Sequence, residues 1–180
     1  MFSQSKPKQI ETLEHDLESI KAAADTQLVS LQLTKELLKA NTSILKDSLN
    51  QQRILVRASI DTLFSGLKFG DSALVNSVIH KEAKLMSTFL GRDGIPLLHT
   101  ESIQKFLDAI GTPHKELWNE IISNVTITVD GNLAQAWMDY SFYLDETFSH
   151  CGVNAIQFFN DGDSWKIIQI IDTRRKNNCK

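Results

Sequence analysis

Asn132–Arg174 reads NLAQAWMDYSFYLDETFSHCGVNAIQFFNDGDSWKIIQIIDTR, and this stretch decides the fold. It predicts three long strands in a row. Leu133–Leu144 carries Trp137, Tyr140, Phe142 and Tyr143, residue types that suit a pleated, half-buried surface. Asp145-Glu146 interrupts it. Thr147–Asn160 resumes with Cys151, Val153, Ile156, Phe158 and Phe159. Asp161-Gly162 is a strong hairpin signal, because Gly adopts positive φ at little cost. Ser164–Thr173 closes the set with Trp165, Ile167, Ile168, Ile170 and Ile171.

Upstream, the period changes. Ile10, Leu13, Leu17, Ile20 and Ala24 follow a helical 3-4 spacing, which resumes after a slip as Leu28, Leu31, Leu38, Leu45 and Leu49. Lys35 and Thr42 fill two of the expected apolar places. Such a stripe needs something to pack on, either a partner helix in a coiled coil or its own domain. A second helical pattern, Ile54, Leu55, Ala58, Leu63 and Leu67, begins at Gln51 and ends at Gly66 and Gly70. Asp71 predicts an N-cap for a short helix through Val78. His80–Phe89 and Ile95–His99 predict a strand pair around the Gly91–Gly94 turn. A helix opens at Thr100-Glu101-Ser102 and stops at Gly111. Trp118–Val129 is a further strand.

Helices followed by strands predict an α+β fold with the helices on one face of an antiparallel sheet. The expected organisation is a loose N-terminus over 1–8, a helical, coiled-coil-like segment over 9–50, the main domain over 51–176 and a tail over 177–180.

Composition narrows the function classes. The chain has 180 residues and a net charge of -3, which gives no sign of a nucleic-acid surface. No apolar run reaches membrane-spanning length. The sequence as given predicts a cytoplasmic protein; a periplasmic or secreted one is expected if Met1 stands in for a cleaved export signal. Cys151 and Cys179 are expected as free thiols, since pairing would require the tail to fold back; the alternative, in an exported protein, is a disulfide between them. The histidines show no ligand spacing, so no metal and no cofactor are expected. Nucleotide-binding glycine loops and the Gly-x-Ser-x-Gly elbow are missing.

With two-residue turns at Asp145-Glu146 and Asp161-Gly162, Tyr140 falls opposite Cys151 and Cys151 opposite Asp172. Met138, Phe142, Val153 and Ile170 share that face. Polar groups among apolar side chains describe a small-molecule pocket, with Tyr140, Phe142, Met138, Cys151, Asp172 and Arg174 as ligand-binding candidates. A carboxylate held there can act as a general base, which makes Asp172, Tyr140 and His150 the catalytic candidates. The plainer alternative is that Tyr140 and Asp172 simply bond each other. The opposite face then carries Trp137, Ile156, Phe158, Trp165 and Ile167. It is too apolar for water and is expected to be a homodimer interface.

The segments 134–140 (AQAWMDY), 149–152 (SHCG) and 163–168 (DSWKII), with Asp172-Thr173-Arg174, resemble the nuclear transport factor 2-like superfamily, in particular its SnoaL-like and lumazine-binding bacterial branch. The resemblance spans about residues 51–175. It implies a cone-shaped curved sheet wrapped on helices, ligands on the concave face and a second copy on the sheet. The branch name implies flavin- or lumazine-like ligands. The superfamily includes enzymes and pure binding domains, so fold alone does not assign function. The preferred reading is a non-catalytic domain binding a small aromatic or heterocyclic molecule. The alternatives are a cofactor-free SnoaL-like isomerase or dehydratase, with Asp172 as base and Tyr140 as polariser, and an interaction scaffold recruiting partners through residues 9–50.

Overall fold

The structure, a computed structural model, describes residues 5–179, with side chains from Ile10 onward. Of the expected loose N-terminus and tail, residues 1–4 and Lys180 lie outside the described residues. The chain divides into two compact units, Met1–Ser48 and Leu49–Lys180.

One helix, α1 (Ser5–Phe69), replaces the two helices expected from the sequence. From Gln9 to Ser65 the sequence has neither Pro nor Gly, so the backbone meets no obstacle at residue 50. The break in apolar spacing changes which side chains face one side; it does not break the hydrogen-bond ladder. In the first unit, every side chain described is exposed.

In the second unit, α1 ends where Gly70 takes φ +66, a conformation that side chains with a Cβ resist. Asp71 then caps α2 (Ser72–Val78), its Oδ1 accepting the Leu74 N–H at 2.8 Å. β1 (Ile79–Leu90) and β2 (Pro96–Glu101) follow, then α3 (Ile103–Gly111), capped by Ser102. β3 (Trp118–Asp130), β4 (Leu133–Leu144), β5 (Thr147–Asn160) and β6 (Trp165–Arg174) complete a six-stranded open sheet in the order β2-β1-β6-β5-β4-β3. Only β1 and β6 run parallel. Val56, Ile60, Leu63 and Leu67 of α1 are buried in one cluster with Met138, Ile156, Phe158, Trp165 and Ile167. Ser59 Oγ donates to the Trp165 carbonyl, and the Trp165 ring N–H donates to Gln52, so the helix is hydrogen-bonded to the end of the sheet as well as packed on it.

Two register shifts decide which residues share a face. The β4–β5 turn places Leu144 opposite Thr147 and Tyr143 opposite Phe148, as a two-residue turn requires. Ser149 is then bulged out, Phe142 pairs with His150, and Tyr140 pairs with Gly152 rather than Cys151. The next connection is four residues long, with Asn160 opposite Trp165. Asp161 builds it, accepting the N–H groups of Asp163 and Ser164 at 3.0 and 2.8 Å. A second shift between Gln157 and Phe158 leaves Ile168 unpaired and sets Asp172 opposite Asn154.

The first shift turns β5 over relative to the simple alternation. Ile156, Phe158, Trp165 and Ile167, expected at a dimer interface, are core residues with at most 2% exposure. Of the five expected interface residues only Trp137 remains outside, 59% exposed. The second shift flips β6 back beyond Ile168. Asp172 and Ile170 therefore share the face of Tyr140, as the alternation predicts, but through two slips that cancel.

The cysteines are also corrected. Cys151 and Cys179 form a disulfide, so neither is a free thiol. The tail does fold back: Cys151 and Arg175 exchange main-chain hydrogen bonds, both at 2.9 Å, which extends the β5–β6 pairing past Arg174 and returns Cys179 to Cys151.

Candidate functional site

The inner face of the sheet, closed by α1 and α3, encloses a cavity of about 640 Å³. That is the size range of small-molecule sites. Apolar walls come from Leu63, Phe64 and Leu67 of α1, Phe106 of α3, and Trp118, Phe142, Ile156 and Ile170 of the sheet. His99, Glu101, Lys105, His114 and Glu116 also line it, adding polar groups on that side.

The polar cluster is built from five strands. Asp172 on β6 lies opposite Ser87 on β1 and accepts a hydrogen bond from its hydroxyl. Arg174, two residues along the same strand face, donates Nε–H to Asp172 Oδ2 at 2.8 Å. Tyr140 Oη lies 3.1 Å from the same Oδ2 and 2.9 Å from the Thr173 carbonyl, so its single proton serves one acceptor at a time. Tyr140 reaches across β5 because its cross-strand partner is Gly152. A Cβ there would stand 2.6 Å from the Tyr140 ring and 1.7 Å from the Thr173 carbonyl oxygen. Alongside, Asn154 donates to Glu120 Oε1 of β3 at 2.7 Å. His150 packs edge-on to Tyr140 and tilted against Phe142, at centroid distances of 5.7 and 5.0 Å.

Burial and charge set the protonation states. Burial pushes the Glu120 carboxyl up to about 7; the negative charge of Asp172 adds to this, while the Asn154 hydrogen bond and the Arg174 charge oppose it. Burial also raises the Tyr140 phenol, reinforced by the charges of Asp172 and Glu120. The His150 imidazole is lowered, first by burial and then by the Arg174 guanidinium. Burial alone would lower Arg174, but its bond to Asp172 and the surrounding negative charge hold it above its ordinary value. The cluster thus combines the Arg174–Asp172 salt bridge, a phenol held in its neutral form, an imidazole shifted toward its neutral form and a carboxyl raised to about 7.

The structure brings together Tyr140, Phe142, His150, Asp172 and Arg174 from the residues singled out in the sequence. It does not bring Cys151, which turns away into the disulfide, or Met138, which lies in the packed core. Sequence reasoning missed Glu120, Asn154, Ser87 and the stack of His114 on Trp118 at 3.8 Å. One signal for Glu120 was present. It occupies the inward parity of β3 between Trp118 and Ile122, where a charge has no reason to be unless something meets it. Asn154 was hidden behind the Ser149 bulge. Among the described residues no group of side chains is arranged to hold a metal ion, and no helix is long and apolar enough to cross a membrane.

No protein-family model matches the chain, and no curated protein matches it. Solved structures do. A nuclear transport factor 2-like protein with a cystatin-like fold from Novosphingobium aromaticivorans aligns at 13% identity and TM-score 0.60, covering 75% of this chain and 89% of that one. A second such protein, of unknown function, from Shewanella baltica aligns at 14% identity and TM-score 0.56, covering 71% and 96%. A candidate dehydratase of the same family from Streptomyces avermitilis aligns at 12% identity and TM-score 0.55, covering 71% and 98%. At these identities the likeness establishes the fold: a curved, open sheet on helices, of the nuclear transport factor 2-like kind.

Proposed function

We propose that this chain, with its nuclear transport factor 2-like fold, binds a small aromatic or heterocyclic molecule in the cavity of its second unit. One observation carries the reading: the cavity is walled by aromatic and aliphatic side chains and holds a polar cluster on the sheet, where Arg174, Tyr140, Glu120 and Asn154 offer both donors and acceptors. An apolar body would be held by Phe64, Phe106, Trp118 and Phe142, and a polar edge by that cluster. Ring stacking and burial would supply affinity, and the cluster would supply orientation. Because all three tryptophans lie in the second unit and Trp118 lines the cavity, ligand entry is expected to change intrinsic fluorescence. Native mass spectrometry of freshly purified protein, followed by fluorescence titration with the recovered compound, tests this. Phe142→Ala is expected to weaken binding about tenfold or more. Equal affinity of the two proteins would sink the reading.

A second reading, acid–base catalysis, is favoured by Glu120. A carboxyl that titrates near 7 beside a bound molecule can accept a proton at neutral pH. Asp172 is less suited than the sequence implied, because Ser87, Tyr140 and Arg174 already occupy its oxygens. It would position Tyr140 and Arg174, with Glu120 as the base. Glu120→Gln separates the readings: retained binding with lost turnover supports catalysis, whereas a ligand recovered chemically unchanged from both proteins supports binding alone. The Cys151–Cys179 disulfide supports placement in an oxidising compartment, outside the cytoplasm.

A further inference from the structure

The first unit offers a surface that the ligand reading does not use. From Ile10, residues at intervals of seven are Ile10, Leu17, Ala24, Leu31, Leu38 and Leu45. No position in this series is polar, and the large members are more than half exposed, Leu31 and Leu38 at 67% each. A seven-residue repeat is the period of a coiled-coil seam, so this series defines the a positions. The outward b positions are Glu11, Glu18, Asp25, Gln32, Lys39 and Lys46, all polar.

The remaining positions identify the occupant. At d, Leu13 and Ile20 are followed by Gln27, Thr34, Asn41 and Ser48. An unrelated apolar helix would leave those side chains buried without partners. A second copy in the same register sets each opposite itself, and amides and hydroxyls carry both a donor and an acceptor. The flanks match in the same way. In a parallel, in-register pair each g residue faces the following e residue of the other chain. Asp16 then meets Lys21, Ala23 meets Leu28, and Ile44 meets Leu49. Ser30 with Lys35 and Leu37 with Thr42 complete the set, and no like charges oppose each other. An antiparallel pair matches e with e and g with g, which separates Asp16 from Lys21.

We propose that residues 10–49 of α1 form a parallel, in-register, two-stranded coiled coil with a second copy of this chain. The pairing covers the apolar series, satisfies the polar d positions and places opposite charges together. It moves the expected homodimer contact from the sheet, whose candidate residues other than Trp137 are core, to the helix. It stands independently of what the cavity binds.

The test uses the full chain in sedimentation equilibrium. Wild-type protein is expected to be a dimer at micromolar concentration. Leu31→Lys with Leu38→Lys is expected to weaken it by more than about a hundredfold, because charges enter two successive a layers. Tryptophan fluorescence on that variant checks that the second unit remains folded. A monomeric wild type, or a dimer unaffected by the double substitution, overturns the proposal. Asp16→Lys and Lys21→Asp test the register. Each alone is expected to weaken the dimer about threefold or more by opposing like charges. Mixed in equal amounts, the two variants form heterodimers in which both pairs are again opposite in sign. Recovery of wild-type affinity on mixing supports the parallel register, and failure to recover overturns it.

Discussion

Leu31 and Leu63 occupy the same helix and have the same side chain, yet Leu31 is 67% exposed and Leu63 is 3% exposed. Both backbones are unbroken α-helix, and each leucine has an apolar residue three positions before it, Leu28 and Ile60. The difference lies in the rest of the chain. Leu63 meets the concave face of a sheet made by the residues that follow, whereas the described side chains of residues 10–48 are all exposed. A stripe on a helix therefore specifies that something will be covered, and only the remaining chain tells whether the cover is in the same molecule.

The largest expected effect sharpens this contrast. Ile60 is fully buried against the sheet, and Ile60→Ala is expected to destabilise the second unit by about 4 kcal/mol in urea unfolding, from lost transfer energy and the cavity left behind. A cost below about 1 kcal/mol would mean that this part of the helix is held as loosely as the first. Next comes the disulfide. Its cysteines are 28 residues apart, so Cys179→Ser is expected to cost about 3 kcal/mol, chiefly by freeing the unfolded chain. An unfolding midpoint unchanged between reducing and non-reducing buffer would show that the tail is held by its main-chain bonds to Cys151 alone.

A smaller effect comes from Glu120. Its carboxyl is raised above its unfolded value of 4.5 to about 7. Below the unfolded value both states hold the proton and no penalty exists. As pH rises toward and through 7, the folded state must either keep a proton that solution would remove or bury a charge, so stability falls. Because Glu120 keeps some exposure, the loss between pH 4.5 and 8 is expected to be about 2 kcal/mol. His150 acts in the opposite sense, since its lowered value costs stability as pH falls below 6.5. The comparison of wild type with Glu120→Gln isolates the carboxyl: the variant should lose less stability with rising pH, and parallel profiles would remove Glu120 from the account.

Much of this was legible in the sequence, for reasons that differ by element. The strands of Asn132–Arg174 were readable because aromatic and β-branched residues cluster between unmistakable turns. Asp71 was readable as a cap because a short acceptor side chain precedes an apolar helical run. Faces were not readable, because one bulged residue inverts a strand and Ser149 looks like any other strand residue. That single shift moved Ile156, Phe158, Trp165 and Ile167 from an expected interface to the core and removed Cys151 from the pocket. Asp172 reached the pocket only because the Ile168 shift cancelled the first. The disulfide was hidden for a related reason: pairing beyond the last predicted strand depends on main-chain bonds at Arg175 that no side-chain pattern announces.

The smallest effect breaks or keeps the comparison most directly. Leu31→Ala removes as many carbon atoms as a core leucine substitution, but its side chain is largely in water already. Tryptophan fluorescence reports the second unit alone, because Trp118, Trp137 and Trp165 all follow residue 49. In dilute protein, unfolding followed this way is expected to shift by no more than about 0.5 kcal/mol. The same variant followed by far-ultraviolet circular dichroism as concentration is raised should lag behind wild type, because a lone helical segment is marginal in water and gains its stability on association. Two probes of one substitution then report different regions. If fluorescence shifts as strongly for Leu31→Ala as for Ile60→Ala, the first unit is stabilising the second within a single chain, and the division between the two parts of α1 fails.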